Sequence, residues 1–305
     1  MHMKGGFHKR YRVAKYVLSQ NQRQLLSTKK QTGFTIMEVL IVLGVTGALF
    51  ISAVALISGR QNRTEFTIAI NNVVTQIQQT ISDVGTGFYP SANNIKCTIN
   101  VATAAPQFTA GTDTQGTNSA CTFMGKAIQF GVKNTDPEKF ATYSLAGLRL
   151  KVDGADAANV TEANPKVMVL STAVPTDPPT AMGVLQNGLQ TGKVTYTQAG
   201  TTKDAVAIAF VSDLSQNSDG LVSGAQNVNV YPIQSPIGQV VPTIPSDTAA
   251  AINANLTTSQ VNPDGGVTIC FLSNTTDQAG IVTIGGSNQR QNAVILTIRN
   301  SRTCP

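Results

Sequence analysis

A run of twenty residues without a charge, 39–58, constrains this chain more than any other feature. Leu, Ile, Val, Ala and Phe dominate it. As a helix, at about 1.5 Å per residue, it covers roughly 30 Å, the thickness of a bilayer core. Lys4, Lys9, Arg10, Arg12, Lys15, Arg23, Lys29 and Lys30 precede it, and residues 1–33 hold no Asp or Glu. Only Arg60 and Arg63 follow closely. That imbalance predicts an N-terminus kept in the cytoplasm and a body on the far side of a membrane. One charge, Glu38, sits at the very start of the run, where an unpaired carboxylate is costly and calls for a partner.

The formal charge of +6 and the pI near 9.2 suggest a polyanion binder until the charges are located. Beyond residue 33 there are fourteen basic and sixteen acidic residues, a net of −2. No nucleic-acid partner is expected for the body on this ground. The two histidines, His2 and His8, lie in the basic leader, and tryptophan is absent. The rest of the chain therefore has no imidazole for acid–base catalysis or metal ligation. The four cysteines, Cys97, Cys121, Cys270 and Cys304, contain no C-x-x-C pair, which argues against zinc. No catalytic residue, cofactor or metal is expected, and no enzyme activity. Four cysteines allow three pairings. The pairing local in sequence, Cys97–Cys121 with Cys270–Cys304, is favoured over the others, with four buried free thiols as the alternative.

Three readings fit the N-terminal pattern. A secretory signal peptide would be cut after Ala53-Val54-Ala55. A signal anchor would stay uncut. Neither explains Gly33 and Glu38 flanking the start of the run. The third reading rests on Lys29-Lys30-Gln31-Thr32-Gly33 followed by Phe34-Thr35-Ile36-Met37-Glu38-Val39-Leu40-Ile41-Val42. This stretch closely resembles the class III signal of type IV prepilins. That signal is a basic leader ending in glycine, then phenylalanine, T-[LI]-[IMV]-E and an apolar helix. The resemblance covers residues 29–60 and is silent about the remainder. The leader is longer than many in the family. The helix also lacks the proline common in pilins, since none precedes Pro90. Gly44, Gly47 or Gly59 would be weaker substitutes for loosening it.

The resemblance implies cleavage between Gly33 and Phe34 by a membrane-embedded prepilin peptidase, and methylation of the new amine on Phe34. It implies that Glu38 pairs with a neighbour's N-terminal amine during self-assembly into a helical filament. In a low-dielectric bundle such pairing offsets the desolvation of both charges. The partners implied are further copies of this chain, the peptidase, the membrane and the pilus assembly machinery. The implied location is the cytoplasmic membrane, then the cell surface, in adhesion, motility or uptake. A minor pilin or a type II secretion pseudopilin would carry the same signal. A secreted or anchored β-rich binding protein that never polymerises is the rival from another class.

Past the apolar run, Phe66, Ile70, Val73, Val74, Ile77, Ile81 and Val84 recur at steps of three and four and predict one apolar stripe. Asn71, Gln76, Gln78 and Asp83 fall off it. Gly85, Gly87 and Pro90 end the helix, which is expected over 34–84 and about 77 Å long. From residue 88 Thr, Asn, Gln, Gly and Val dominate. Strands are expected at 127–132, 143–152, 166–170, 194–197, 205–211, 228–231, 267–272, 281–284 and 293–299. A turn is expected at Asn262-Pro263-Asp264-Gly265-Gly266, and a short helix at 246–258 capped by Ser246. The proline-rich stretches 175–179 and 232–245 read as loops. The fold class is thus α+β. A long N-terminal helix, membrane-spanning in its first half, packs its amphipathic second half on a mostly antiparallel sheet. The expected organisation is a cleaved leader 1–33, an assembly segment 34–58, an amphipathic segment 59–87 and a β-rich extracellular head 88–305. A bond from Cys270 to Cys304 would pin the last strand, as many pilins staple their C-terminal region.

Residues 213–220 place Asp213, Ser215, Asn217 and Asp219 in alternation, as calcium loops do. Ser218 replaces the turn glycine and no glutamate closes the loop, so a polar turn is the reading. Asp153-Gly154-Ala155-Asp156 reads as a hairpin turn. Arg290, Arg299 and Arg302 have no interleaved aromatics and read as solvated surface or subunit salt bridges. Four N-x-[ST] sequons, at Asn62, Asn159, Asn255 and Asn274, are expected by chance in a Thr- and Asn-rich chain.

Overall fold

A computed structural model describes residues 33–87, 95–111, 120–131, 137–168, 181–212, 228–234, 256, 263–286, 290 and 292–305. The chain divides into two compact units, residues 1–54 and 55–305. One helix, α1 (Ile36–Gly85), runs from the first into the second.

In the first unit the apolar side chains of α1 are exposed on every side; Phe50 is 71% exposed. No described residue buries them, and the helix is long and apolar enough to cross a membrane. The polar side chains inside the run hide their hydroxyls locally. Thr46 donates to the Val42 carbonyl at 2.7 Å and Ser52 to the Ala48 carbonyl at 2.9 Å. Both satisfactions survive in a solvent that offers no hydrogen bonds.

In the second unit the expected stripe is present. Phe66, Ile70, Val73, Ile77, Ile81 and Val84 are buried, and Val74 is partly so. These side chains share one cluster with Ile128, Phe130, Ile208, Phe210, Ile269, Phe271 and Val282. Gly280 makes room for that packing, because a Cβ there would lie 2.9 Å from Ile70 Cδ1. Asp83, off the stripe, meets Lys126 Nζ at 2.6 Å in a half-buried pair. The helix ends as glycine permits. Gly87 takes φ +67 and its N–H reaches the Val84 carbonyl at 3.1 Å.

Twelve strands follow among the described residues. β1 (Ile95–Asn100) and β2 (Ala105–Ala110) form a separate antiparallel hairpin. The others are β3 (Cys121–Phe130), β4 (Lys139–Leu148), β5 (Lys166–Val167), β6 (Ala181–Val184), β7 (Leu189–Gln198), β8 (Thr201–Ser212), β9 (Val228–Gln234), β10 (Val267–Ser273), β11 (Ala279–Ile284) and β12 (Val294–Arg299). Their order is β12-β11-β10-β7-β8-β3-β4-β5, with β6 also on β4 and β9 also on β8. Each of these pairings is antiparallel. A single turn of helix, α2 (Val160–Ala163), separates β4 from β5. The class is α+β, as the sequence predicts.

The second unit has two main cores, and β8 explains why. Its first four residues pair with β7 and are exposed, while residues 207–211 pair with both β3 and β9. There the side chains alternate between cores. Ile208 and Phe210 join the helix side; Ala207, Ala209 and Val211 join a second cluster with Met124, Tyr143, Leu145 and Ile233. A strand covered on both faces needs apolar residues at consecutive positions, which is why it reads as a continuous run.

All nine expected strands occur, most of them longer than expected. The hairpin β1–β2 and the short β6 are not among the expected ones. Pro232, expected in a loop, lies inside β9. It is tolerated on a strand that pairs only with β8 among the described residues, since edge strands are where a sheet accepts proline. The helix begins at Ile36 rather than Phe34, with Thr35 as its cap. The Asn262–Gly266 turn is seen from Pro263 onward, closed by the Gly266 N–H on the Pro263 carbonyl at 2.8 Å. The Asp153–Asp156 turn is likewise present, with Gly154 at φ +84. The expected helix 246–258 lies outside the described residues except for Leu256, which is buried in the second cluster. The stretch 175–179 and the rest of 232–245 lie outside them too.

Candidate processing and assembly site

Gly33, Phe34 and Thr35 run into the first turn of α1. Thr35 is the cap. Its carbonyl accepts the Val39 N–H at 3.2 Å and its Oγ1 accepts the Glu38 N–H at 3.3 Å. Thr35-x-x-Glu38 matches the capping-box spacing, a helix-start signal that overlaps the membrane and cleavage motif in the sequence. The cap uses the Glu38 amide. The Glu38 carboxylate is exposed and has no ion-pair partner among the described residues. It is also the only charge in residues 33–59. In the first turn it interacts favourably with the helix dipole, worth about 0.3–1 kcal/mol. That stabilises a glutamate here without requiring one in an otherwise charge-free run.

Gly33 has no structural reason to be glycine. Its φ is not in the left-handed region, and a Cβ built on it would meet nothing within 4 Å. The same open space surrounds Gly44 and Gly47. Phe34 is 81% exposed. A cut between Gly33 and Phe34 would therefore meet no buried side chain among the described residues. It would leave an ammonium on Phe34, four residues before Glu38. The arrangement can present one cation and one anion at the end of an apolar helix, and the chemistry it supports is ion pairing.

The cysteines are joined as Cys97–Cys121 and Cys270–Cys304, with Cα separations of 6.1 and 5.7 Å. The first ties β1 to the start of β3, so it fastens the separate hairpin to the main sheet. The second ties the chain's end to β10. Gly192 marks the close approach there, because a Cβ on it would lie 2.7 Å from Cys304 Sγ. A bulge between β10 and β7 at Cys270/Phe271 leaves Gly192 unpaired in the ladder beneath that sulfur.

The remaining candidates belong to other stretches of the chain. Arg290, Arg299 and Arg302 are exposed at the β12 edge and its C-terminal tail. The calcium-like stretch 213–220 lies outside the described residues. Among the described residues no group of His, Cys, Asp and Glu side chains could hold a metal ion. The sequons at Asn62, Asn159 and Asn274 fall in α1, at the cap of α2 and in the β10–β11 turn; Asn255 lies outside the described residues. Comparisons with family models, with curated proteins and with solved structures returned no match.

Proposed function

We propose that this chain is a structural subunit of a type IV pilus or pilus-like filament. A prepilin peptidase cuts the precursor between Gly33 and Phe34, and the new amine on Phe34 is methylated. The helix then polymerises with copies of itself, Glu38 pairing with a neighbour's N-terminal amine. The β-rich region faces outward on the cell surface and serves adhesion, motility or uptake. The subunit has a structural role and no catalytic one.

One observation carries the reading. The motif Gly33-Phe34-x-x-x-Glu38 stands at the start of a helix whose apolar side chains are left exposed by the described residues over its first half. Lipid suits that surface before assembly, and helices of other copies suit it afterwards. The large region after the helix favours a minor pilin or pseudopilin over a bulk subunit, and abundance in sheared filaments separates the two.

N-terminal mass spectrometry of the protein from its native host tests the proposal. A mature chain beginning at Phe34 and heavier by one methyl group is the expected result. A start at Leu56 would mean ordinary secretion, and a start at Met1 an uncut anchor; either sinks the filament reading.

A further inference from the structure

Four arginines without a counter-charge stand where α1 leaves its charge-free run. We infer that they bind the headgroups of anionic phospholipids, on the face of the membrane that carries the second unit. Arg60 and Arg63 follow Ser58, the last residue of the run, by two and five positions. At about 1.5 Å per residue they stand roughly 3 and 7.5 Å beyond it along the helix. The headgroup layer is about 5–7 Å deep on each side of a bilayer core, so both guanidiniums fall in it or against it. They are three positions apart, on one side of the helix, and both are exposed.

The sheet brings two more arginines to this part of the helix. Asn187, in the β6–β7 turn, donates from Nδ2 to the Glu65 carbonyl at 3.2 Å. The Asn274 N–H, in the β10–β11 turn, reaches the Gly188 carbonyl at 3.1 Å. At Gly280 a Cβ would lie 3.5 Å from Phe66 Cζ. This end of the sheet therefore lies against the helix just past Arg63. Arg299 ends β12 there, in register with Ala279. Arg302 follows in the tail that the Cys270–Cys304 bond holds over Gly192. Both arginines are exposed.

None of the four makes an ion pair among the described residues. Glu65 stands two residues from Arg63, its Oε1 accepting from Gln61 Nε2 at 2.9 Å, and Asp277 is exposed in the β10–β11 turn. Residues 59–66, the two turns and residues 299–303 thus hold four guanidiniums against two carboxylates. Glu138 and Lys139, where β4 begins, offset each other. The excess is local, because the chain beyond residue 33 has a net charge of −2. A guanidinium is always charged and meets phosphate oxygens with paired N–H donors. Beside an apolar run long enough for a bilayer, the phosphates within reach are those of the lipids, and basic residues at that level are attracted to an anionic surface. The inference rests on α1 crossing a membrane and not on polymerisation. An uncut anchor would make the same contacts.

The test uses the full chain reconstituted in phosphatidylcholine vesicles with a trace of spin-labelled phosphatidylglycerol or spin-labelled phosphatidylcholine. Electron paramagnetic resonance reads how far the lipid shell of the protein prefers the anionic label. The basic leader attracts that label on the opposite face in every variant, so the quantity compared is the change from the unaltered chain. Arg60→Gln with Arg63→Gln should lower the preference by about twofold, and Arg299→Gln with Arg302→Gln by less. Salt at about 1 M should shrink both changes. Arg290→Gln, before the opposite end of β12, should change nothing. Thermal melting of each variant separates lost binding from lost fold. A preference that survives all four substitutions together overturns the inference, and so does an equal fall from Arg290→Gln. Extraction with carbonate keeps the premise apart from the inference. A chain that carbonate strips from the vesicles does not span them, which removes both. An inserted chain whose preference ignores the four arginines sinks the inference alone. The N-terminal mass decides the filament reading separately.

Discussion

The two halves of α1 use similar apolar residues to opposite ends. Up to residue 58, Leu, Ile, Val and Phe cover the whole circumference and stay exposed. After it they narrow to one stripe, on which Phe66 is 1% exposed and Ile70 fully buried. The first half meets its solvent outside the chain; the second meets it inside. What separates them is how the apolar side chains are arranged around the helix, more than which apolar residues are used.

Four tests would break or sharpen that contrast. Glu38→Ala carries the largest expected effect. Losing the partner of a desolvated ammonium costs about 3–5 kcal/mol per contact, so filament yield should fall more than ~100-fold. The melting temperature of the β-rich region should not move. Normal filaments from this variant would remove the assembly role. Next, Phe66→Ala should destabilise the second unit by about 3–5 kcal/mol in denaturant unfolding. Leu43→Ala, equally apolar but in the exposed half, should leave that stability unchanged. Equal losses from the two would show that the halves are not distinct. Third, replacing Cys270 and Cys304 together by serine should cost about 2–4 kcal/mol, read as a shifted denaturation midpoint. Smallest is Asp83→Asn, which leaves Lys126 half-buried without its counter-charge. A loss of about 1–3 kcal/mol is expected from the same unfolding curves.

Much of the fold is legible along the chain where periodicity is strong. The stripe from Phe66 to Val84 follows from spacing alone. The strands around Ala205–Val211 and Val267–Leu272 follow from dense β-branched and apolar runs. The cysteine pairing follows from sequence locality, because short loops are easily closed. β1 and β2 are not legible in this way. IKCTIN does alternate, Ile95, Cys97 and Ile99 standing between polar residues, but over six residues only, and APQFTA, interrupted by Pro106, does not. They become strands because Cys97 and Phe108 pack with Cys121, Ala146 and Met168 in a small third cluster. β6 is similar: AMGV pairs with β4 over four residues and carries little signal of its own. At the candidate site, Gly33, Phe34 and Glu38 are visible as a motif. The capping role of Thr35 is equally present in its spacing, but it emerges only once the helix start is fixed at Ile36.

What the sequence determined by itself is local: a charge-free helix long enough for a bilayer, a single glutamate at its start, an amphipathic continuation and a series of strands. Each depends on residues within one or two turns or within one strand, so spacing is sufficient. Tertiary structure alone decided the rest. It placed β8 between two cores, set the Asp83–Lys126 pair across the helix–sheet contact, and seated Cys304 over Gly192. These features join residues that chain order keeps apart, through contacts that carry no period a sequence could display.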